Sequence, residues 1–161
     1  MRYAYAAGLT ALIAAATPAL TKETTVHHAK GKFEVTVTPE AQVAAPGSDG
    51  VATGRMGLRK VFAGPLAGVA TGTMLTAGSP GQAMTYVAID QFTGTLDGRV
   101  GGFVLAHRGT MSPATAPALT IEITPDSGTG ALAGIRGTLA IEVTGGVHHY
   151  DLAYTLPTKD R

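Results

Sequence analysis

Residues 86–111 read YVAIDQFTGTLDGRVGGFVLAHRGTM, and their reading decides the fold. Two runs rich in Val, Ile, Phe and Thr flank Asp97-Gly98, a dipeptide suited to a two-residue hairpin loop because both of its residues tolerate positive φ. Such a loop sets Leu96 opposite Arg99, Phe92 opposite Phe103, Asp90 opposite Leu105 and Ala88 opposite His107. Side chains alternate faces along a strand, so Phe92 and Phe103 mark the inner face. Tyr86, Asp90 and His107 share that face. Asp90 and His107 then become diagonal neighbours, with backbones roughly 7–8 Å apart and side chains able to come closer. An unpaired carboxylate among apolar groups costs several kcal/mol, so Asp90 needs a partner, water or a ligand.

The same period of two runs outward from this hairpin. FEVTVTP alternates Phe33, Val35 and Val37 against Glu34, Thr36 and Thr38. Similar runs occupy 52–62, 69–77, 83–94, 100–111, 117–125, 136–144 and 147–156. A motif G-x-L-x-G recurs as GPLAG (64–68), GTLDG (94–98) and GALAG (130–134), each expected to be a hairpin turn, and Gly145-Gly146 supplies a fourth. No run has helical periodicity. Eight sequential antiparallel strands can close on themselves, which predicts an all-β fold, an eight-stranded antiparallel up-and-down barrel, with an open sandwich as the alternative. GTGALA (128–133) matches a loose dinucleotide fingerprint, but a strand follows it where that chemistry needs a helix.

Parity extends to the other strands. In the last hairpin Val143 faces His148, Ile141 faces Tyr150 and Leu139 faces Leu152, so His148, Tyr150 and Tyr154 turn inward. Met56, Leu58 and Phe62 set the inner face of the second strand, and Lys60 shares their parity. Several inward polar groups on different strands favour a ligand pocket over a packed polar cluster, although any one of them alone reads as structural. The candidate catalytic pair is Asp90 and His107. The candidate ligand-binding residues are Tyr86, Lys60, His148, Tyr150, Tyr154, Phe92 and Phe103.

Composition narrows the function classes. The chain has 161 residues, 12 Lys and Arg against 11 Asp and Glu, and no Cys. The near-neutral balance excludes a nucleic-acid footprint, and the missing thiols exclude disulfides, thiolate metal sites and a cysteine nucleophile. His27-His28 and His148-His149 belong to strands one and eight at opposite ends of their pairing, on the order of 20 Å apart at ~3.3 Å per residue, so no metal site is expected. No cofactor is implied. Residues 1–20, MRYAYAAGLTALIAAATPAL, carry one basic residue, an apolar core and small residues at 14–16, the pattern of a signal peptide. The expected organisation is a leader at 1–20, one barrel domain at 27–156 and a short polar tail at 157–161. The protein is then secreted or periplasmic, with no stable membrane insertion after cleavage, and self-association stays open.

Four blocks carry a family resemblance: HHAKGKFEVTVTP, GRMGLRKVFAGPLAGVATGTML, the 86–111 hairpin, and TPDSGTGALAGIRGTLAIEV followed by GVHHYDLAYTL. Together they resemble a bacterial family of uncharacterised proteins, domain of unknown function 3224, over about residues 27–156. The resemblance implies a barrel like that of allene oxide cyclase, with a central cavity. It implies no agreed activity and no residue roles. Where that family usually reads VAIE this chain reads VAID, a shorter acid at Asp90 with a changed reach. Three functions follow as expectations: a secreted barrel holding a small, mostly apolar ligand in its interior, a cofactor-free isomerase, cyclase or hydrolase using Asp90 and His107 as acid and base, or a filled barrel acting in assembly or as a structural module.

Overall fold

The computed structural model describes residues 25–44, 51–79 and 81–157. The leader expected at residues 1–20 and most of the expected tail (158–161) lie outside them. Every described element is a strand: β1 (His27–Ala44), β2 (Ala52–Ala63), β3 (Leu66–Gly78), β4 (Met84–Leu96), β5 (Arg99–Ser112), β6 (Thr115–Ile123), the two-residue β7 (Thr129–Gly130), β8 (Arg136–Thr144) and β9 (Val147–Thr155). Neighbours pair antiparallel from β1 through to β6. β6 meets β8, β8 pairs β9, and β9 returns to β1, so eight staves close into a barrel and the sandwich alternative falls away. β7 is a patch on the end of β5, through Gly101 and Gly102.

The 86–111 hairpin pairs as its loop dictates, Leu96 with Arg99, Phe92 with Phe103, Asp90 with Leu105 and Ala88 with His107. Asp97 and Gly98 both hold left-handed backbone, φ 48° and 75°. Gly145 and Gly146 form the matching turn between β8 and β9. The G-x-L-x-G motif, in contrast, is not one kind of turn. In GPLAG the reversal lies at Gly64-Pro65 and Leu66 already belongs to β3. GALAG is no hairpin at all: it lies in the longer connection between β6 and β8, where Leu132 and Ile135 turn inward and are fully buried.

The staves differ in length, and this shapes the interior. β1 runs 18 residues, but β8 and β9 run only 9 each. β9 starts on β1 at the Phe33–His148 pair and ends at His27–Tyr154. Ring closure is therefore confined to the half of the barrel that holds the start of β1. Beyond Phe33, β1 pairs only with β2, while β2 to β5 continue upward beside it.

The closed half is packed solid. All four phenylalanines of the chain meet there, with Phe33–Phe62 centroids 5.1 Å apart, Phe62–Phe92 5.9 Å and Phe92–Phe103 4.9 Å. Leu66, Leu96, Leu132, Ile135 and Leu152, each with no exposed surface, seal the end. Edge-to-face and offset ring contacts add to area burial, and each buried aromatic is worth about 2–3 kcal/mol of transfer free energy. In the open half, side chains of inner-face parity are exposed instead: Val37 at 45%, Met111 at 43% and Leu119 at 40%.

Candidate functional site

At the level where packing gives way to the open half, three charged or titratable side chains from three strands meet. Asp90 on β4 is fully buried, and Lys60 on β2 and His107 on β5 are nearly so. Asp90 takes its place because β3 offers Gly72 opposite it; a Cβ there would sit 2.5 Å from Asp90 Oδ1. Lys60 and His107 reach the carboxylate along opposite diagonals, Lys60 from the packed side and His107 from the open side. Lys60 Nζ donates to Asp90 Oδ2. His107 Nε2 stands 3.1 Å from the same oxygen but out of line for a hydrogen bond. Two atoms of the cluster, Asp90 Oδ1 and His107 Nε2, are consequently buried without a hydrogen-bond partner.

Burial acts on Asp90 most strongly and would raise its pKa. The contact with His107 and the charge and hydrogen bond of Lys60 outweigh it and hold the carboxyl below its ordinary value of 3.8. Asp90 is thus an anion at neutral pH. Tyr86, half-buried on the same face, shows the reciprocal effect: burial first, and then the Asp90 charge, push its hydroxyl upward from 10.0. Its ring lies flat on β5 because its partner there is Gly109, where a Cβ would fall 2.3 Å from the ring.

Above the cluster the inner wall turns soft and apolar. Met56 pairs with Met74, Met74 with Ala88 and Ala88 with His107, forming one rung across β2 to β5. Met84 pairs with Met111 two rungs higher. All four methionines of the described residues therefore line one end of the barrel. A hollow of about 420 Å³ opens there, lined by Gly54, Met56, Thr76, Gly78 and Met84 among others. The Met56–Met74–Ala88 rung is what separates it from Asp90. A larger hollow of about 850 Å³ lies on the outer wall over β1, β9 and β8, beside Lys30, Lys32, Glu142, His149 and Asp151. Its charged side chains are exposed or half-exposed, and Tyr150, a buried polar residue on its lining, already spends its hydroxyl on Leu66 and Ala63, so no free desolvated polar group is left to orient a small molecule.

The expected site residues divide between the two halves. Asp90, His107 and Lys60 come together, and Tyr86 stands over them. Tyr150 does not join them: it lies in the closed half, where its hydroxyl accepts from Leu66 N at 3.0 Å and faces the carbonyls of Leu66 and Ala63 at 3.1 and 3.2 Å. Tyr154 hydrogen-bonds Asp97 at the sealed end, and burial followed by that bond pushes its pKa up to about 12. Phe92 and Phe103 are core, and His148 packs on Phe33 with centroids 5.0 Å apart. The methionine wall was not singled out from sequence, although four methionines at inward parity on four successive strands were its signal. Among the described residues no group of three or more His, Asp or Glu is arranged to hold a metal ion.

Comparison with known proteins agrees with this architecture. The family model of proteins of unknown function DUF3224 matches residues 29–154. A crystal structure of a DUF3224 protein of unknown function from Shewanella oneidensis MR-1 is 42% identical, with a TM-score of 0.73, and the alignment covers 84% of this chain and 100% of that one. No curated protein matches.

Proposed function

Because this chain belongs to the DUF3224 family of proteins of unknown function, we propose its role from its own barrel: it binds a small, mostly apolar molecule in the open half, outside the cytoplasm. The observation that carries this reading is a hollow lined by Met56, Thr76 and Met84 above a buried polar cluster, at a level where the inner-face residues Met111 and Leu119 stay exposed. A ligand in that hollow removes apolar surface of Met56 and Met84 from water at about 25 cal/mol per Å². Unbranched thioethers re-pack readily, so the methionine rungs suit tails of differing shape. The polar groups beneath give the ligand an orientation.

An acid–base enzyme is the weaker reading. Asp90 has its ammonium partner in place and a depressed pKa, which makes it a poor proton donor and a weak base near neutrality.

The direct test is Nile red fluorescence together with native mass spectrometry of the purified protein. A saturable blue-shifted signal, reduced by Met74→Glu at the chamber wall and unchanged by Glu34→Gln on the outer wall, is the expected result. No saturable signal from the folded protein overturns the binding reading. Export is tested separately: sequencing the mature N-terminus from a bacterial host should find it between Ala16 and Leu20, and an intact Met1 on cytosolic protein overturns it.

A further inference from the structure

We propose that the chamber selects a neutral aliphatic molecule with a hydrogen-bond-donating head group, an alcohol rather than a carboxylic acid or an amine, and that Asp90 Oδ1 accepts from that head. This rests on the chamber reading above and adds the chemistry of the ligand's polar end.

The charge of Asp90 is already met by Lys60. Lys60 bonds Asp90 Oδ2, and the same oxygen is the one nearest His107. A ligand carboxylate brought to this level meets Asp90 as a like charge in a desolvated site. A ligand ammonium meets Lys60 in the same way. Either must also shed its own hydration without a free counter-charge to replace it. A hydroxyl carries no such cost.

The unmet demand in the cluster is specific. Asp90 Oδ1 is a buried acceptor with no donor, and acceptors left unpaired in the interior are costly. A hydroxyl supplies one donor. A ketone or ester, being an acceptor only, cannot. The second unpartnered atom, His107 Nε2, accepts or donates according to its tautomer, and a hydroxyl satisfies either state. Oδ1 itself packs over Gly72, so a head group reaches it past the small Ala88 and the separating rung of Met56 and Met74, whose side chains can swing aside.

The experiment is displacement of Nile red from the full-length mature protein by dodecanol, dodecanoate, dodecylammonium and methyl dodecanoate at pH 7. Dodecanol should displace the dye at a concentration on the order of tenfold lower than the other three, the span that one well-placed hydrogen bond to a charged acceptor gives. Asp90→Asn, which leaves Lys60 without its anion, should shift the preference to dodecanoate. Should that variant not fold by circular dichroism, Lys60→Met must shift it to dodecylammonium instead. Dodecanoate, dodecylammonium or the ester equalling or surpassing dodecanol on the native protein overturns the head-group inference while leaving the chamber intact. Nile red bound but displaced by none of the four also overturns it. Failure of the dye itself to bind overturns the chamber reading.

Discussion

The two halves of the barrel are built from the same strands with the same alternation, yet one is a core and the other a cup. In the closed half the inward positions are Phe33, Phe62, Phe92, Phe103, Tyr150 and Leu152, and all are buried. In the open half they are Val37, Met56, Met74, Tyr86, Met111 and Leu119, which are half-buried or exposed. The difference is one of closure rather than hydrophobicity. β8 and β9 stop level with Phe33, so only the lower inward side chains have a facing wall to pack against. Alternation decides which way a side chain points; what it meets depends on where the neighbouring staves end.

The contrast is broken most easily by Phe92→Ala. This residue touches Phe62 and Phe103 and is 1% exposed, so truncation should cost about 3–5 kcal/mol through lost burial and an uncollapsed cavity. Met74→Ala, at the corresponding depth in the open half, should cost much less than half of that. Urea melts of both variants check the ratio. Equal losses would mean that the open half is as tightly packed as the closed one.

Lys60→Met sits at the boundary and sharpens it. The change leaves Asp90 buried with only His107 beside it, and breaking one side of a buried pair costs about 3 kcal/mol or more. Lys60→Met combined with Asp90→Leu should recover much of that loss, because the charge that needed compensation is gone. A double variant no better than the single one would show that the pair itself, rather than its imbalance, stabilises the barrel.

The pH dependence separates the same two levels. The Asp90 pKa is lowered in the fold, so its contribution is present above the ordinary value of 3.8 and is lost as the pH falls through the folded value. Tyr154 is shifted the other way: it contributes fully below pH 10.0 and loses that contribution as the pH rises toward about 12. Asp90→Asn should therefore flatten the acid limb of a stability–pH curve, and Tyr154→Phe the alkaline limb. If either variant flattens the opposite limb, the assignment of these groups is wrong.

Much of this was legible in the sequence, and the exceptions have physical reasons. The two-residue loop at Asp97-Gly98 fixes the parity of β4 and β5, and with it the inward placement of Asp90, Tyr86 and His107. Parity says nothing of height along the barrel. Tyr150, Tyr154 and His148 have the correct face and the wrong end, because height follows from the β1–β9 register, which no turn specifies. FEVTVTP marks only the middle of an 18-residue strand, whose ends carry small, charged or Pro residues instead of a β-branched run, so the mismatch in stave lengths was hidden. The plug at the sealed end was hidden too. Leu132 and Ile135 lie in a glycine-rich connection that reads as a turn, and only the three-dimensional closure reveals what they fill.

The smallest effect belongs to a turn of the closed half. Gly98 has φ 75°, and a Cβ added there would meet nothing within 4 Å, so a substitution is opposed by backbone strain alone. A β-branched residue is costly in the left-handed region, and Gly98→Val should lose ~1 kcal/mol or slightly more. Gly98→Asn should lose less, since asparagine tolerates that conformation. Neither variant touches the packed interior, although the preceding residue, Asp97, is bonded to Tyr154. If closed-half stability comes from the aromatic interior, both losses stay well below that of Phe92→Ala. A loss at Gly98→Val rivaling it would mean that the turn, through Asp97 and Tyr154, holds the sealed end shut. A melting temperature unchanged by valine would instead remove the requirement for positive φ, and with it the loop geometry that turns Asp90 toward the interior.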